Sequence, residues 1–383
     1  MAKRLSDLRP VYVVGIGLHR YQRPSDTPYV ALGLAAVRSA LADADLEWKA
    51  VESVFHANCM LGMAPTRVML RHLGATGIPM QQVENASASG STAFRNAVMD
   101  VASGISDVSL ALGVDKPAPF TLASTKNGLD TLERDRVAAF THFALLAQTY
   151  CAESGATAED FARVAVKNHG NGAKNPFAQR QQSRTLSEIL DAEPVAGFLT
   201  PLQCCPVGEG AAAVLVASED AIRKYGLNRR RAPRVLSSTM RSERIYEPAT
   251  GFDAALTEEA VTQAFAEAQI KPDELDVVEL HDAFTVEELL YVERMGLCAR
   301  GDAPRELRSG AFDIGGRVAV SASGGLLAMG HPLGPTGIGQ IAEITRQLRG
   351  EAAGRQHPGA KTGLAHMVGV GAVCVVHILR NED

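Results

Sequence analysis

The sequence predicts a layered α/β fold built from two similar halves, and three observations carry that expectation. Short β-branched runs alternate with amphipathic stretches from Val11 to about Gly113, the rhythm of a buried sheet with helices on its faces. Ala36-Val-Arg-Ser-Ala-Leu-Ala-Asp-Ala-Asp-Leu46 recurs as Ala260-Val-Thr-Gln-Ala-Phe-Ala-Glu-Ala-Gln-Ile270, an offset of 224 residues, and each copy runs on into a strand, Val51-Glu-Ser-Val-Phe55 and Leu275-Asp-Val-Val-Glu279, at that same offset. A weaker echo at an offset of 244 sets Ser87-Ala-Ser-Gly-Ser-Thr-Ala93 beside His331-Pro-Leu-Gly-Pro-Thr-Gly337, which makes Ser87 and His331 equivalent positions that could converge near a pseudo-twofold axis.

In order, the pattern reads as a strand at Val11 to Gly17, a helix from about Tyr29 to Ala44, a strand at Val51 to Phe55, a helix from about Ser89 to Ser103 and a strand from Val108 to Gly113. The rhythm then breaks. Residues 118 to 203 are polar and mainly helical, with Val137 to Cys151 and Ala158 to Asn168 as helices and Asn168-His-Gly-Asn-Gly-Ala-Lys-Asn-Pro176 as a loop signal. This stretch is expected to be an inserted layer over one face of the sheet. Strands resume at Ala211 to Ala217 and Arg234 to Ser238, so the halves divide as 1–235, with the insertion, and 236–383.

Composition excludes several classes. With 383 residues, 38 Lys and Arg against 43 Asp and Glu, and 21% charged residues, the chain has no basic surplus to neutralise a phosphate backbone, so nucleic acid is not an expected partner. The charged start Met1 to Pro10 lacks the apolar stretch of a secretory signal, and no run approaches the 18 residues of a membrane span. A cytoplasmic protein is expected. The six cysteines form no C-x-x-C pair, so no metal is expected and the thiols read as reduced and mostly packed. Gly15-Ile-Gly17 lacks the third glycine of a dinucleotide fingerprint, which would fall at Arg20, and no nucleotide cofactor is expected.

Four short motifs carry the chemistry. In Val83-Glu-Asn-Ala-Ser-Ala-Ser-Gly-Ser-Thr-Ala93, a helix opening just after Ser87 would present free N–H groups and partial positive charge to that side chain. Residue chemistry alone reads Ser87 first as an N-cap serine. His281 opens His-Asp-Ala-Phe284 at the end of the strand Asp276 to Leu280, where α/β sheets place reactive groups. His331 sits in Gly330-His-Pro-Leu-Gly-Pro-Thr336, behind Ser323-Gly324-Gly325, and Gly369-Val-Gly371 closes the chain's last strand pair.

Together these segments resemble the active-site loops of the thiolase superfamily, and most closely its sterol-carrier-protein type, in which a histidine motif replaces an asparagine motif. Leu202-Gln-Cys-Cys-Pro206 matches that subgroup as well. The resemblance spans the chain in order, and it implies a thiolase-like fold whose helical insertion shapes an acyl pocket, acting as a dimer. It implies acyl transfer between coenzyme A and a 3-oxoacyl-CoA through a covalent acyl-enzyme at position 87, with coenzyme A and acyl-CoA as substrates and no bound cofactor. His331 would deprotonate the nucleophile, and His281 would donate to the oxyanion or enolate with it. The backbone N–H groups of Ser87 and Gly369 would form a second oxyanion hole, and Ser323, Gly324 and Gly325 would contact substrate. Members act on branched, sterol-side-chain and aromatic acyl-CoAs, benzoylsuccinyl-CoA among them. Some work with a small zinc-ribbon and OB-fold protein, which keeps such a partner among the expectations.

The departures from the family pattern matter chemically. The family's nucleophile is cysteine, and here it is Ser87, whose hydroxyl is a far weaker acid and whose ester is a poorer acyl donor. Thiolase turnover should therefore be impaired, whether the serine is natural or replaces a cysteine by engineering. The second acid/base cysteine is missing as well, with Met367 and Ala283 at its two places and Ser321 where asparagine is common. Its role would fall to His281, a water or His366, the last reading better as a packed strand residue. Two alternatives stay open: a retro-aldol lyase acting on a β-hydroxyacyl-CoA, and a non-catalytic acyl-CoA-binding subunit. Cys204 and Cys205 read as packing, while Lys167, His169 and Lys174 read either as a solvated face or as groups near the coenzyme A phosphates.

Overall fold

The computed structural model describes residues 4–117, 139–246, 252–369 and 373–382. Its first half contains β1 (Val11–Gln22), α1 (Tyr29–Ala44), β2 (Ser53–Ala57), α2 (Pro65–Leu70), β3 (Met80–Val83), α3 (Ser89–Ala102), β4 (Val108–Asp115), α4 (Ala139–Ser154), α5 (Ala158–Ala173), α6 (Leu186–Leu190), β5 (Glu209–Ser218) and α7 (Glu219–Tyr225). The second contains β6 (Arg234–Ser242), α8 (Phe252–Ala268), β7 (Val277–Glu279), α9 (Thr285–Arg294), α10 (Ala303–Arg308), β8 (Ala319–Val320), α11 (Gly325–Ala328), α12 (Leu333–Arg349), β9 (Thr362–Gly369) and β10 (Val373–Arg380). Among the described residues, no helix is long and apolar enough to cross a membrane.

The strands run in the order β3-β2-β4-β5-β1-β6-β10-β9-β7-β8. Read from either edge inward the pattern is the same: β2 and β7 pair in parallel with both neighbours, β4–β5 and β9–β10 pair antiparallel, and β1 and β6 meet in the middle through the single position Tyr12 with Arg234. The helix pairs α1 and α8, and α3 and α12, fall at the offsets of the sequence repeats. We propose on this symmetry that the chain comprises two related halves, divided just before β6 rather than two residues inside it.

Both faces of the sheet are buried, which explains strands that read as near-continuous apolar runs. Val11 and Val13 of β1 pack with Phe94, Val98 and Val101 of α3 and Ile338 and Ile341 of α12, in a cluster that also takes Val277, Ala365 and Leu379 from the second half. Tyr12 and Val14 point the other way, to Val37, Ala40 and Leu41 of α1. The helices α3 and α12 therefore lie between the two half-sheets, and α12 is buried nearly all round, as a central helix must be.

Close approach of this pair depends on glycine. A Cβ at Gly90 would lie 2.5 Å from the Gly334 carbonyl oxygen, and one at Gly334 would lie 2.5 Å from that of Ala57. Because the obstacles are backbone atoms, no rotamer change relieves them. Gly334→Ala is expected to lower stability by about 3 kcal/mol, read as a shift in the urea midpoint at unchanged slope; a loss under about 1 kcal/mol would mean that α12 can draw away from the end of β2.

Of the insertion, residues 118–138 lie outside the described residues. The remainder is helical at 139–154, 158–173 and 186–190 and otherwise mostly loop, with Phe143 of α4 stacked on Phe284 at 4.2 Å. Of the loop expected at Asn168 to Pro176, Asn168 to Ala173 is instead the last turn and a half of α5, and the loop begins at Lys174. Tertiary partners offset the poor helix propensity of these residues: Asn168 Nδ2 donates to Asp282 and Glu288, Asn171 Nδ2 donates to the Ser321 carbonyl, and Gly172 packs against Ala328 where a Cβ would be 2.5 Å away. Lys167 is likewise not a solvated residue; its Nζ is 3.0 Å from Glu288 and donates to the Val320 carbonyl.

Candidate active site

The chain approaches Ser87 through a strained turn. Ala86 has φ +48°, a left-handed conformation that costs a residue with a Cβ on the order of 1–3 kcal/mol and concentrates at functional sites. The turn is held by Ser89, whose Oγ donates to the Ala86 carbonyl at 2.6 Å and accepts from Asn85 N–H at 2.8 Å. Helix α3 opens at Ser89 with Ala88 as its N-cap. Ser87 is thus not the cap that residue chemistry suggested. Its Oγ lies 3.0 Å from His331 Nε2.

The hydrogen bonds fix the tautomer of His331. Thr336 Oγ1 donates its one proton to the Pro332 carbonyl at 2.6 Å, so at its 3.0 Å contact with His331 it can only accept. His331 therefore carries its proton on Nδ1 and presents the Nε2 lone pair to the Ser87 hydroxyl. Although the residue is half-buried, its ring is enclosed, and burial followed by the nearby His281 holds its pKa well below 6.5. A neutral base faces the hydroxyl.

His281 stands edge-on to His331, with ring centroids 5.4 Å apart. Its Nδ1 is 2.7 Å from Glu287 Oε1, and the same carboxylate accepts from Phe284 N–H at 2.9 Å and Tyr291 O–H at 3.3 Å, so Nδ1 is the donor. Its Nε2 is buried without a hydrogen-bond partner. Behind it His366 is fully engaged: Nδ1 accepts from His281 N–H at 3.5 Å, Nε2 meets Thr257 Oγ1 at 3.0 Å, and burial takes its pKa to about 3. It is a packed residue, and it cannot trade protons near neutrality.

Gly369 lies against the Ser87 turn, where a Cβ would be 2.4 Å from the Asn85 carbonyl oxygen and 3.3 Å from Ala88; Val370 and Gly371 lie outside the described residues. Ser323, Gly324 and Gly325 have other contacts. Ser323 donates to Glu279 through N–H at 2.8 Å and Oγ at 2.6 Å, Gly324 abuts Gly172, and Gly325 abuts Asp282. Met367 packs with Ala88, Val373 and Val375, and the Ala283 carbonyl accepts from Cys205 N–H at 2.8 Å. Burial and then the Glu287 charge push the Cys205 thiol up to about 12.

Three site residues escaped the sequence reading. Glu287 was visible only as the third helical residue after Phe284, a capping position. Thr336 stood inside the quoted His331 motif without a role. Asp115, at the end of β4, gave no signal; its buried carboxylate accepts from Gly334 N–H at 2.7 Å, Met60 N–H at 3.0 Å and Cys59 N–H at 3.1 Å. Cys59 Sγ in turn contacts Ala86 and Ser89 at 3.4 and 3.3 Å. Asp115 thereby ties the His331 turn to the floor of the Ser87 turn, and burial raises its pKa to about 6. Among the described residues, no His, Cys, Asp and Glu grouping could hold a metal.

These buried groups predict a stability maximum. Burial lowers His56, His366 and His377 to about 3, His169 to about 4, and His331 further below 6.5. Because unfolding lets them take up protons, the stability they supply above pH 6.5 is lost as pH falls below it. Burial raises Glu279 to about 8 and Asp282 well above 3.8, with Glu343 and Glu288 as the next causes. Their stability is lost as pH rises toward 8. Between pH 4.5 and 6.5 these five histidines, with His357 lowered by burial as well, outnumber Glu279, Asp282 and Asp115, whereas above pH 6.5 Glu279, raised to about 8, still loses stability as pH rises. Calorimetry is expected to place the highest Tm near pH 6.5; a Tm climbing steadily to pH 8 would contradict these protonation states.

Comparison with known proteins agrees with the fold and the motifs. The thiolase N-terminal domain profile matches residues 16–189, and the thiolase C-terminal domain-like profile matches 240–381. The chain is 36% identical over 95% of its length to the benzoylsuccinyl-CoA thiolase subunit BbsB of Thauera aromatica, covering 95% of that protein, and 35% identical over 97% to human sterol carrier protein 2, covering 72% of it. Among solved structures, an Ltp2-ChsH2(DUF35) aldolase shares the fold with a TM-score of 0.84 at 24% identity, over 98% of both chains. The fold and the paired histidine motifs thus define a thiolase-type α/β protein. The chain belongs to the thiolase family.

Proposed function

We propose that this protein transfers acyl groups between coenzyme A and a 3-oxoacyl-CoA by way of an acyl ester on Ser87. The observation that carries the reading is the 3.0 Å contact between Ser87 Oγ and the unprotonated Nε2 of His331. His331 takes the hydroxyl proton as Oγ bonds to the 3-oxo carbon, the C2–C3 bond breaks to release an acetyl-CoA enolate that takes up a proton, and the thiol of a second coenzyme A then accepts the acyl group. The N–H groups at 87 and Gly369 would face the developing oxyanion. His281, with Glu287 behind it and Nε2 unpartnered, is the group left to serve the second acid/base role. Ser323, Gly324 and Gly325 support the His281 loop in this reading, through Glu279 and Asp282, rather than contacting substrate.

A groove of about 600 Å³ lined by Arg23, Arg180, Arg184 and His169 opens on Leu202 and Pro206, which flank the Cys205 segment bonded to Ala283. It offers cations for the phosphates of coenzyme A. His169 lines that groove with its Nε2 on the Leu202 carbonyl at 2.9 Å and burial lowering its pKa to about 4, so the cations offered are the three arginines, and Lys167 is buried against Glu288. The open edge strand β3 supports a homodimer, and the name of the aldolase neighbour, with its ChsH2(DUF35) component, supports a search for a small partner protein. The absence of cysteine at positions 87, 283 and 367 favours a second reading, a retro-aldol lyase. An assay of CoA-dependent cleavage of a 3-oxoacyl-CoA against CoA-independent cleavage of a β-hydroxyacyl-CoA separates the two. Activity on the second substrate alone would replace the transferase reading, and tight binding with no turnover of either would leave a binding subunit.

A further inference from the structure

We infer that the protein is an acyl-CoA hydrolase: the acyl group on Ser87 passes to water in preference to coenzyme A. The inference rests on the acyl-Ser87 reading and concerns the fate of that ester. It follows from which parts of the site are complete. Ser87, His331 and Thr336 form a finished chain, in which Thr336 is locked onto Pro332, His331 is held as the Nδ1–H tautomer, and Nε2 faces the hydroxyl. One such base is sufficient for both halves of ester formation and hydrolysis. Thiolytic carbon–carbon cleavage asks for more, a second group that protonates the departing enolate. At the two places where the resembled enzymes keep a cysteine for it stand Met367, sealed among Ala88, Val373 and Val375, and Ala283, and His281, the group left for that role, gives its Nδ1 proton to Glu287 and offers the site only the Nε2 lone pair.

The steps balance. Ser87 Oγ bonds to the thioester carbonyl carbon as His331 Nε2 takes its proton; the carbon–sulfur bond breaks, and that proton leaves on the thiolate as coenzyme A. A water oxygen then bonds to the same carbon while His331 Nε2 takes a water proton. The carbon–Oγ bond breaks, the proton returns to Ser87, and a carboxylate departs with release of one proton to solvent. Energetics favour this order, because returning an acyl group from an oxygen ester to a thiol is uphill, whereas transfer to water is downhill.

The test uses the full-length protein with acetyl-CoA and acetoacetyl-CoA in water enriched in oxygen-18, first without and then with excess free coenzyme A, following thiol release and the label in the carboxylate. The expected result is a burst of about one thiol per active site, then steady release, with one labelled oxygen per carboxylate and little effect of added coenzyme A. Ser87→Ala should lose burst and turnover. Thr336→Val should slow both phases about 10-fold or more with KM little changed, and Thr336→Ser should restore them. If the acyl-protein forms but discharges to coenzyme A rather than water, hydrolysis is overturned and acyl transfer stands. If no acyl-protein forms and thiol release matches Ser87→Ala, both fall.

Discussion

Ser87→Cys is expected to raise CoA-dependent cleavage of a 3-oxoacyl-CoA by at least about 100-fold. A thiol ionises far more readily than a hydroxyl, so a neutral imidazole 3.0 Å away suffices to generate the nucleophile. A thioester on residue 87 is also close in energy to the thioester on coenzyme A, so the return step, which an oxygen ester resists, becomes reversible. The surroundings need no change, since the turn is set by Ala86, Ser89 and Asn85 rather than by the side chain at 87. Steady-state thiolysis checks this, with intact folding shown by an unchanged Tm. An unaltered or lower rate in the cysteine form would mean that the serine is suited to other chemistry, and the lyase reading would gain.

Replacing His331 by Gln is expected to cut the rate of acyl-Ser87 formation about 10³- to 10⁴-fold with KM altered only slightly. Glutamine fills similar space and can donate to Thr336, but it has no basic nitrogen to take the Ser87 proton. The loss should appear in the single-turnover burst. Because burial and His281 hold His331 neutral well below pH 6.5, the burst rate of the unaltered protein should stay level from pH 7.5 down past 6.5, without the break of an ordinary histidine. A loss under about 10-fold in the Gln form would assign the base elsewhere.

Much of the fold was legible because periodicity is a local property. Tyr29–Ala44, Ser89–Ala102 and Val108–Asp115 fall where the apolar spacing placed them, and the offset of 224 that linked two alanine-rich helices reappears as the mirrored strand order. Ser87 and His331 were legible as a pair for the same reason, since equivalent turns on α3 and α12 deliver them to one place. The errors have a common cause in contacts distant along the chain. Asn168 to Ala173 looks like loop because its residues are poor helix formers, and only Asp282, Glu288, Ser321 and Ala328 make a helix of it. Lys167 looked exposed because nothing nearby in sequence announces Glu288. Asp115, Thr336 and Glu287 act through backbone groups and ring nitrogens rather than through motif chemistry, so their roles emerge only when the three loops are seen together.

The most direct measurement is the acid-quenched intact mass and peptide map of the protein after brief exposure to an acyl-CoA without free coenzyme A, run beside Ser87→Ala and His331→Gln. One acyl group per chain is expected, located on Ser87, absent from the alanine form and formed far more slowly in the glutamine form. Acylation on Cys59 or Cys205, or an adduct that persists in Ser87→Ala, would contradict it.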